Sequence, residues 1–316
     1  MDASISLDRI REAVDAIDPV FINSPQFDCE SLSERIGVAT VLKVECVNPI
    51  RNFKGRGTDY LLHRLNDEGT GIVCASAGNF GLGMAYACRK RGRTLTVYAA
   101  RNANPLKVAR IRALGATVEL QGDDFDAAKD LARRHAEETA EMFVEDGLLG
   151  AIAEGAGTIA VELTSLSDPL DAVFVPLGNG SLVNGVGAWL KHHSPATKVI
   201  AVCAEAAPSM ALSWQSRKPI LAASTTIADG IAVRVPVPEA VRIMSRTVDD
   251  VALVGDDAML AAVRRLHADA GLVVEPAGAV GVAAIAQRAT ELAGQRVATI
   301  LTGGNLTEKQ IRDWIY

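Results

Sequence analysis

Short apolar runs alternate with amphipathic stretches along most of this chain. That alternation, more than any single residue, limits what it can fold into. Gly71 to Ala75 reads as a strand and Gly81 to Lys90 as a helix. Thr94 to Ala99 is the next strand. Asn104-Pro105 then opens a helix, with Asn at the N-cap and Pro at the first helical position. Leu106, Ala109, Ala113 and Leu114 form its apolar face, and Gly115 ends it. Ala116 to Leu120 is a strand and Asp123 to Ala136 a helix. The second half repeats the scheme: strand Asp171 to Pro176, helix Leu182 to Lys191, strand Lys198 to Cys203, helix Asp256 to Ala268, strand Arg296 to Leu301 and a short helix from Thr307. Ala279 to Ala286 is apolar for one helix length and is expected in the core. Strands that alternate with helices imply right-handed crossovers and largely parallel sheets. Aromatic residues are only 4% while Gly reaches 27 of 316, which fits an α/β protein with tight turns.

Several function classes drop out early. Apolar residues are 49% and charged residues 22%, so the chain can bury enough surface to offset its ordering entropy. The net charge of −6 lacks the basic footprint that nucleic acid requires. No apolar run approaches the roughly 20 residues of a membrane span. Met1-Asp2-Ala3-Ser4-Ile5 lacks the basic segment and apolar core of a signal peptide. Cys29, Cys46, Cys74, Cys88 and Cys203 are odd in number and contain no C-x-x-C spacing, so buried reduced thiols and a cytoplasmic location are expected.

Ligands of parallel sheets lie beyond the carboxyl ends of the strands, and four loops fall there. Asn48 to Gly57 places Lys54 at a helix start between Phe53 and Gly55. A positive helix terminus and burial both disfavour an ammonium, which favours a nucleophilic amine. Ser76-Ala77-Gly78-Asn79-Phe80-Gly81 joins a strand to a helix and offers backbone N–H groups and polar side chains to an anion. Its glycines are spaced G-x-x-G-x-G, which is no dinucleotide fingerprint, so a nicotinamide oxidoreductase is disfavoured. Pro176-Leu177-Gly178-Asn179-Gly180-Ser181-Leu182 has the flexibility and helix N-terminus that suit a phosphate. Leu301-Thr302-Gly303-Gly304-Asn305 ends the last strand and brings a hydroxyl to the same crevice.

Taken together, from Asn48 to Asn305, these loops resemble the fold-type II pyridoxal-phosphate enzymes. That family includes threonine/serine dehydratases, serine racemase and the cysteine and threonine synthases. The dehydratase branch looks closest. Glu154-Gly155-Ala156-Gly157-Thr158, Thr226 to Val233 and Val274-Glu275-Pro276-Ala277-Gly278-Ala279 are further marks of it.

The resemblance implies an α/β fold of two open parallel-sheet domains, like the tryptophan synthase β chain. Residues 1–70 and 149–316 would form the large cofactor-binding domain, and 71–148 a small mobile one. Lys54 would form the Schiff base with pyridoxal 5'-phosphate and then act as base at the substrate Cα. Asn79 would bond the phenolic oxygen, and Gly178, Asn179, Gly180, Ser181 and Leu182 the phosphate. Thr302 would face the pyridine nitrogen. Ser76, Ala77, Gly78, Asn79 and Phe80 would hold the substrate. A hydroxyl stabilises a protonated ring less than a carboxylate does, which suits prompt elimination. The implied activity is β-elimination from a hydroxy-amino acid such as L-threonine or L-serine, in a homodimer.

Departures from the pattern shape the expectation. Gly178-Asn179-Gly180-Ser181 replaces four glycines, and Phe80 stands where His is common, so β-replacement in a specialised pathway is the alternative. A non-catalytic cofactor-binding protein is disfavoured by retention of Lys54, Asn79 and Thr302. Ala77 occupies the place of serine racemase's second Ser, which disfavours racemisation. Glu205 matches the start of a cation site, but Ser209 and Ala211 follow where an Asp belongs, so no metal is expected. No regulatory domain follows the catalytic portion, so feedback control through one is not expected.

Overall fold

The structure is a computed structural model that describes residues 4–65 and 69–316. The first three residues of the N-terminal segment discussed above lie outside the described residues.

Ten strands and thirteen α-helices alternate along the described chain. The strands are β1 (Gln26–Asp28), β2 (Ala39–Val44), β3 (Ile72–Ala75), β4 (Leu95–Ala99), β5 (Thr117–Leu120), β6 (Met142–Val144), β7 (Ala172–Pro176), β8 (Lys198–Ala204), β9 (Asp250–Val254) and β10 (Arg296–Leu301). The helices are α1 (Leu7–Ala16), α2 (Glu30–Ile36), α3 (Lys54–Arg64), α4 (Asn79–Lys90), α5 (Pro105–Ala113), α6 (Phe125–Thr139) and α7 (Gly150–Leu163). They continue with α8 (Ser181–His193), α9 (Ser209–Ser216), α10 (Pro238–Thr247), α11 (Asp256–Ala270), α12 (Pro276–Gln287) and α13 (Glu308–Trp314).

Two sheets result. One runs β1-β2-β10-β7-β8-β9, parallel except for β1, and the other runs β5-β4-β3-β6, parallel throughout. The strands of the second sheet lie within residues 72–144. The sequence Ala-Val-Phe-Val-Pro of β7 shows why the first sheet is buried on both faces. Val173 and Val175 pack toward α8 with Val183 and Val186, while Phe174 packs toward α12 with Val280 and Ala284. A continuous apolar run is what a two-sided strand requires. In the second sheet, Ile72 and Cys74 join α4, while Val73 and Ala75 meet Ala132 and Ala136 of α6. The apolar run in α12 is buried as expected.

Between β2, α3 and α7 lies a buried ion cluster. Arg56, fully buried, donates to Glu45 Oε1 and Oε2 at 2.8 and 2.9 Å, and to Glu162 Oε1 at 2.6 Å. Lys43 also donates to Glu162. Burial by itself would raise the Glu162 carboxyl; Arg56 and Lys43 overcome it and hold the group below its ordinary value.

Some local readings change. Helix α4 begins at Asn79, two residues before the expected Gly81, so Asn79 and Phe80 occupy its first turn. Helix α5 is capped by Asn104 as expected, its Oδ1 accepting from Leu106 N at 2.9 Å. Its buried face is different: Lys107, Val108 and Ile111 face inward, whereas Ala109 and Ala113 are exposed. The helix presents a lysine to a polar interior, so an apolar tally picks the wrong side. All five cysteines are buried, and burial pushes Cys46, Cys88 and Cys203 up to about 12.

Candidate active site

All twelve residues singled out from the four loops line one cavity of about 360 Å³ between the two sheets. They are Lys54, Ser76, Ala77, Gly78, Asn79, Phe80, Gly178, Asn179, Gly180, Ser181, Leu182 and Thr302.

Lys54 is the first residue of α3. The chain leading into it is pinned to the last strand's loop: Phe53 N donates to the Thr302 carbonyl at 3.0 Å, and Asn52 bridges Gly303. The Nζ donates to Asp146 Oδ2 at 2.7 Å and to Ser181 Oγ at 3.3 Å. It also lies 4.6 Å from the centre of the Phe53 ring. The lysine therefore has an acidic partner that the loop itself did not reveal. Asp146 follows β6, and its Oδ1 is buried with no hydrogen-bond partner among the described residues.

The glycine loop after β7 turns into α8 through Gly180, whose φ of +96° belongs to the left-handed region. A side chain there would strain the backbone, so the turn needs glycine. The first backbone hydrogen bond into α8 comes from Asn184 N to Gly180 O. Among the described residues, no backbone N–H from Gly178 to Leu182 donates to another protein group. A row of free N–H groups at a helix N-terminus is suited to a phosphate. Lys54 and Ser181 sit at its edge. Geometry and donor set together fit a phosphorylated aldehyde that reacts with an amine.

Opposite this loop lies a charged wall. Asn79 Nδ2 donates to Glu275 Oε1 at 2.5 Å, and Asn305 N donates to Glu275 Oε2 at 3.1 Å. Lys107 pairs with Asp229. Burial pushes the Glu275 carboxyl up against the pull of Lys107. Burial would lower the Lys107 ammonium, but Glu275 and Asp229 outweigh it and hold it above its ordinary value. Farther out, Arg234 meets Asp126 at 2.8 Å and Lys129 meets Glu145 at 3.2 Å. Asp146, Lys107 and Arg110 were missed from sequence because their partners are far along the chain. Glu275 and Asp229 appeared there only as parts of family-like segments, and Asn305 only as the end of the fourth loop. No cluster of three His, Cys, Asp or Glu side chains suited to a metal occurs among the described residues.

Comparison with known proteins agrees with this geometry. Residues 17–303 match the family described as "Pyridoxal-phosphate dependent enzyme". An L-threonine ammonia-lyase of Thermotoga maritima is 34% identical over 310 residues, covering 97% of this chain and 77% of that protein. The chloroplastic biosynthetic threonine dehydratase 1 of Solanum lycopersicum is 32% identical over 299 residues, or 93% of this chain. The chain spans about half the length of that relative, 49%. Among solved structures, maize serine racemase superposes with a TM-score of 0.91 at 26% identity, covering 98% of this chain and 96% of that one. The chain thus belongs to the pyridoxal-phosphate dependent enzymes, within their threonine/serine dehydratase branch.

Proposed function

We propose that the protein removes water from a β-hydroxy-amino acid, with L-threonine and L-serine as the leading substrates, and releases a 2-oxo acid and ammonia. The observation that carries this reading is Lys54 Nζ set in one cavity between a free N–H row and the Ser76–Phe80 turn. The similarity to threonine dehydratases supports it.

Bound pyridoxal phosphate supplies an electron sink for the pair left on Cα when its proton departs. The protein's own groups do the rest. The N–H groups of Gly178 to Leu182 would bind the phosphate and hold the cofactor in place. Thr302, which lines the same cavity, would offer the ring nitrogen a neutral hydroxyl. The first turn of α4 holds the substrate carboxylate, which orients the Cα–H bond toward Lys54. Lys54 Nζ takes that proton, and Asp146, 2.7 Å away, holds the resulting ammonium. The Cβ–O bond then breaks and the oxygen leaves as water, taking its proton from the Lys54 ammonium. The unsaturated amine that is released becomes an imine and hydrolyses to oxo acid and ammonia.

Racemisation needs a proton donor on the face opposite Lys54. Ala77 lines the cavity and has no proton to give. β-Replacement would require a second substrate, and net ammonia release distinguishes elimination from it.

Incubation of the holoprotein with L-threonine or L-serine is expected to yield ketoacid and ammonia in equal amounts. Lys54→Ala is expected to lose at least about 10³-fold in kcat, since it removes the base. Full activity in that variant would sink the proposal. We also propose a homodimer, which light scattering would report as twice the 33.3 kDa chain mass; a monomer at assay concentration would refute it.

A further inference from the structure

An amide can present either its oxygen or its nitrogen to a cavity, and Asn79 has one amide to present. Its neighbours decide which end faces where. Arg110 Nη1 can only donate, and it donates to Asn305 Oδ1 at 2.5 Å. The other end of Asn305 is therefore its nitrogen. Asn305 Nδ2 donates to the Ile50 carbonyl oxygen at 2.9 Å, and that oxygen can only accept. The same nitrogen donates to Asn79 Oδ1 at 2.9 Å. With its oxygen thus engaged, Asn79 turns its nitrogen the other way and donates to Glu275 Oε1. Glu275 takes one of the two hydrogens on Nδ2. The second remains for the cavity that Asn79 lines.

This chain of contacts is buried and tightly fitted. Asn305 is 1% exposed and Glu275 2%. A Cβ at Gly303 would stand 2.5 Å from Glu275 Oε1 and 3.0 Å from Asn79 Nδ2. Any larger residue there would drive the carboxylate and the amide apart. The contacts also cross between the sheets: Asn79 and Arg110 come from helices of the second sheet, while Ile50, Glu275 and Asn305 belong with the first.

We infer that Asn305 and Arg110 are positioning residues that set the hydrogen-bond polarity of Asn79, so that it donates toward the phenolic oxygen of the bound cofactor. The inference rests on the cofactor site proposed above. It does not depend on which amino acid is the substrate. Reversed polarity would set an amide oxygen against the phenolic oxygen. A donor at that oxygen favours the form of the bound cofactor that absorbs in the visible.

The test is the absorbance spectrum of protein saturated with pyridoxal phosphate. Asn305→Asp keeps the size and can still accept from Arg110, but it no longer donates to Asn79 Oδ1. The ratio of the visible to the near-ultraviolet band is expected to fall roughly twofold to tenfold, the value of one hydrogen bond. Arg110→Leu leaves the Asn305 amide oriented by the Ile50 carbonyl alone and should give a smaller fall in the same direction. A purely structural loss would weaken cofactor affinity without moving the ratio at saturation. An unchanged ratio in both folded variants overturns the relay. If Asn305→Asp does not fold, Arg110→Leu decides alone: a fall supports the relay and no change overturns it. A wild-type protein with no visible band would instead defeat the cofactor site itself, so the two failures are distinguishable.

Discussion

At the scale of single residues, the chain uses buried charge in two ways. Around Lys54 and Glu275 the charges face a cavity. Around Arg56 they face each other and hold α3, which carries Lys54, against β2 and α7. That second cluster makes stability depend on pH with a definite sign. The Glu162 carboxyl is held below its ordinary 4.5 in the folded protein. A depressed carboxyl contributes stability above the unfolded value and loses it as pH falls through the folded value. The urea midpoint is therefore expected to hold near neutrality and to drop as pH goes below about 4.5. Arg56→Met should destabilise the protein by about 3–5 kcal/mol at pH 7, because it leaves Glu45 buried without its cation and Glu162 with Lys43 alone. That loss should shrink in acid, where the stranded carboxylates can take protons. A loss that stays constant from pH 7 to pH 4 would show that it does not come from buried ionised carboxylates.

At the scale of elements, the reading from sequence worked where one signal dominated. Strand β10 was legible to the residue, because five apolar or β-branched positions follow Arg296 and end at a glycine-marked turn. Helix α5 was legible at both ends, through Asn104-Pro105 and Gly115. Its inward face was not, because Lys107 is buried by a charge partner on another element. Short elements such as β1 and β6, three residues each, carry too little pattern to stand out. They exist because a neighbouring strand supplies hydrogen bonds, β2 to the one and β3 to the other. The glycine-marked loops were legible as a set, since each βα turn needs its own local chemistry. The residues that orient them were not, since Asp146 and Arg110 act on partners 92 and 195 positions away. The cap of α5 offers a test at this scale. Asn104→Ala should cost about 1 kcal/mol, the usual value of an N-cap. Because α5 carries Lys107 and Arg110, the same change should weaken cofactor binding more than a cap loss at α13 through Thr307→Ala. Equal effects on binding from both variants would show that α5 does not shape the site.

At the scale of the whole molecule, the cavity lies where the two sheets meet, and the contacts across it differ in kind. The pair Arg234–Asp124 has both side chains about half exposed, at 49% and 48%. Pairs of that type contribute roughly 0–1 kcal/mol and are screened by salt. Lys107 is only 4% exposed, yet its partner Asp229 is 62% exposed, so even this contact reaches solvent on one side. Apolar packing fills each half, with Val173, Phe174 and Val175 in one and Ile72, Cys74 and Ala132 in the other, and one core also joins Tyr60 and Leu61 of α3 and Ile152 of α7 to Ile72, Leu82 and Met84. Solvent-reaching polar pairs beside the cavity, with apolar packing between α3 and α4, favour a swing about the α3–α4 contact over separation of the units. We therefore propose that residues 71–148 move as a unit relative to 1–70 and 149–316, closing when an amino acid reaches Lys54. Amide hydrogen exchange on the holoprotein tests this, with L-alanine as an unreactive ligand because it has no β-leaving group. Exchange should slow in α5 and in the first turn of α6, where Lys107, Arg110, Asp124 and Asp126 face the other half. The strands β7 and β8 should be unaffected. Arg234→Ala should speed exchange at the start of α6 and leave β3 and β4 alone. If the ligand slows exchange evenly in both halves, the small unit does not move by itself and the proposed division is wrong.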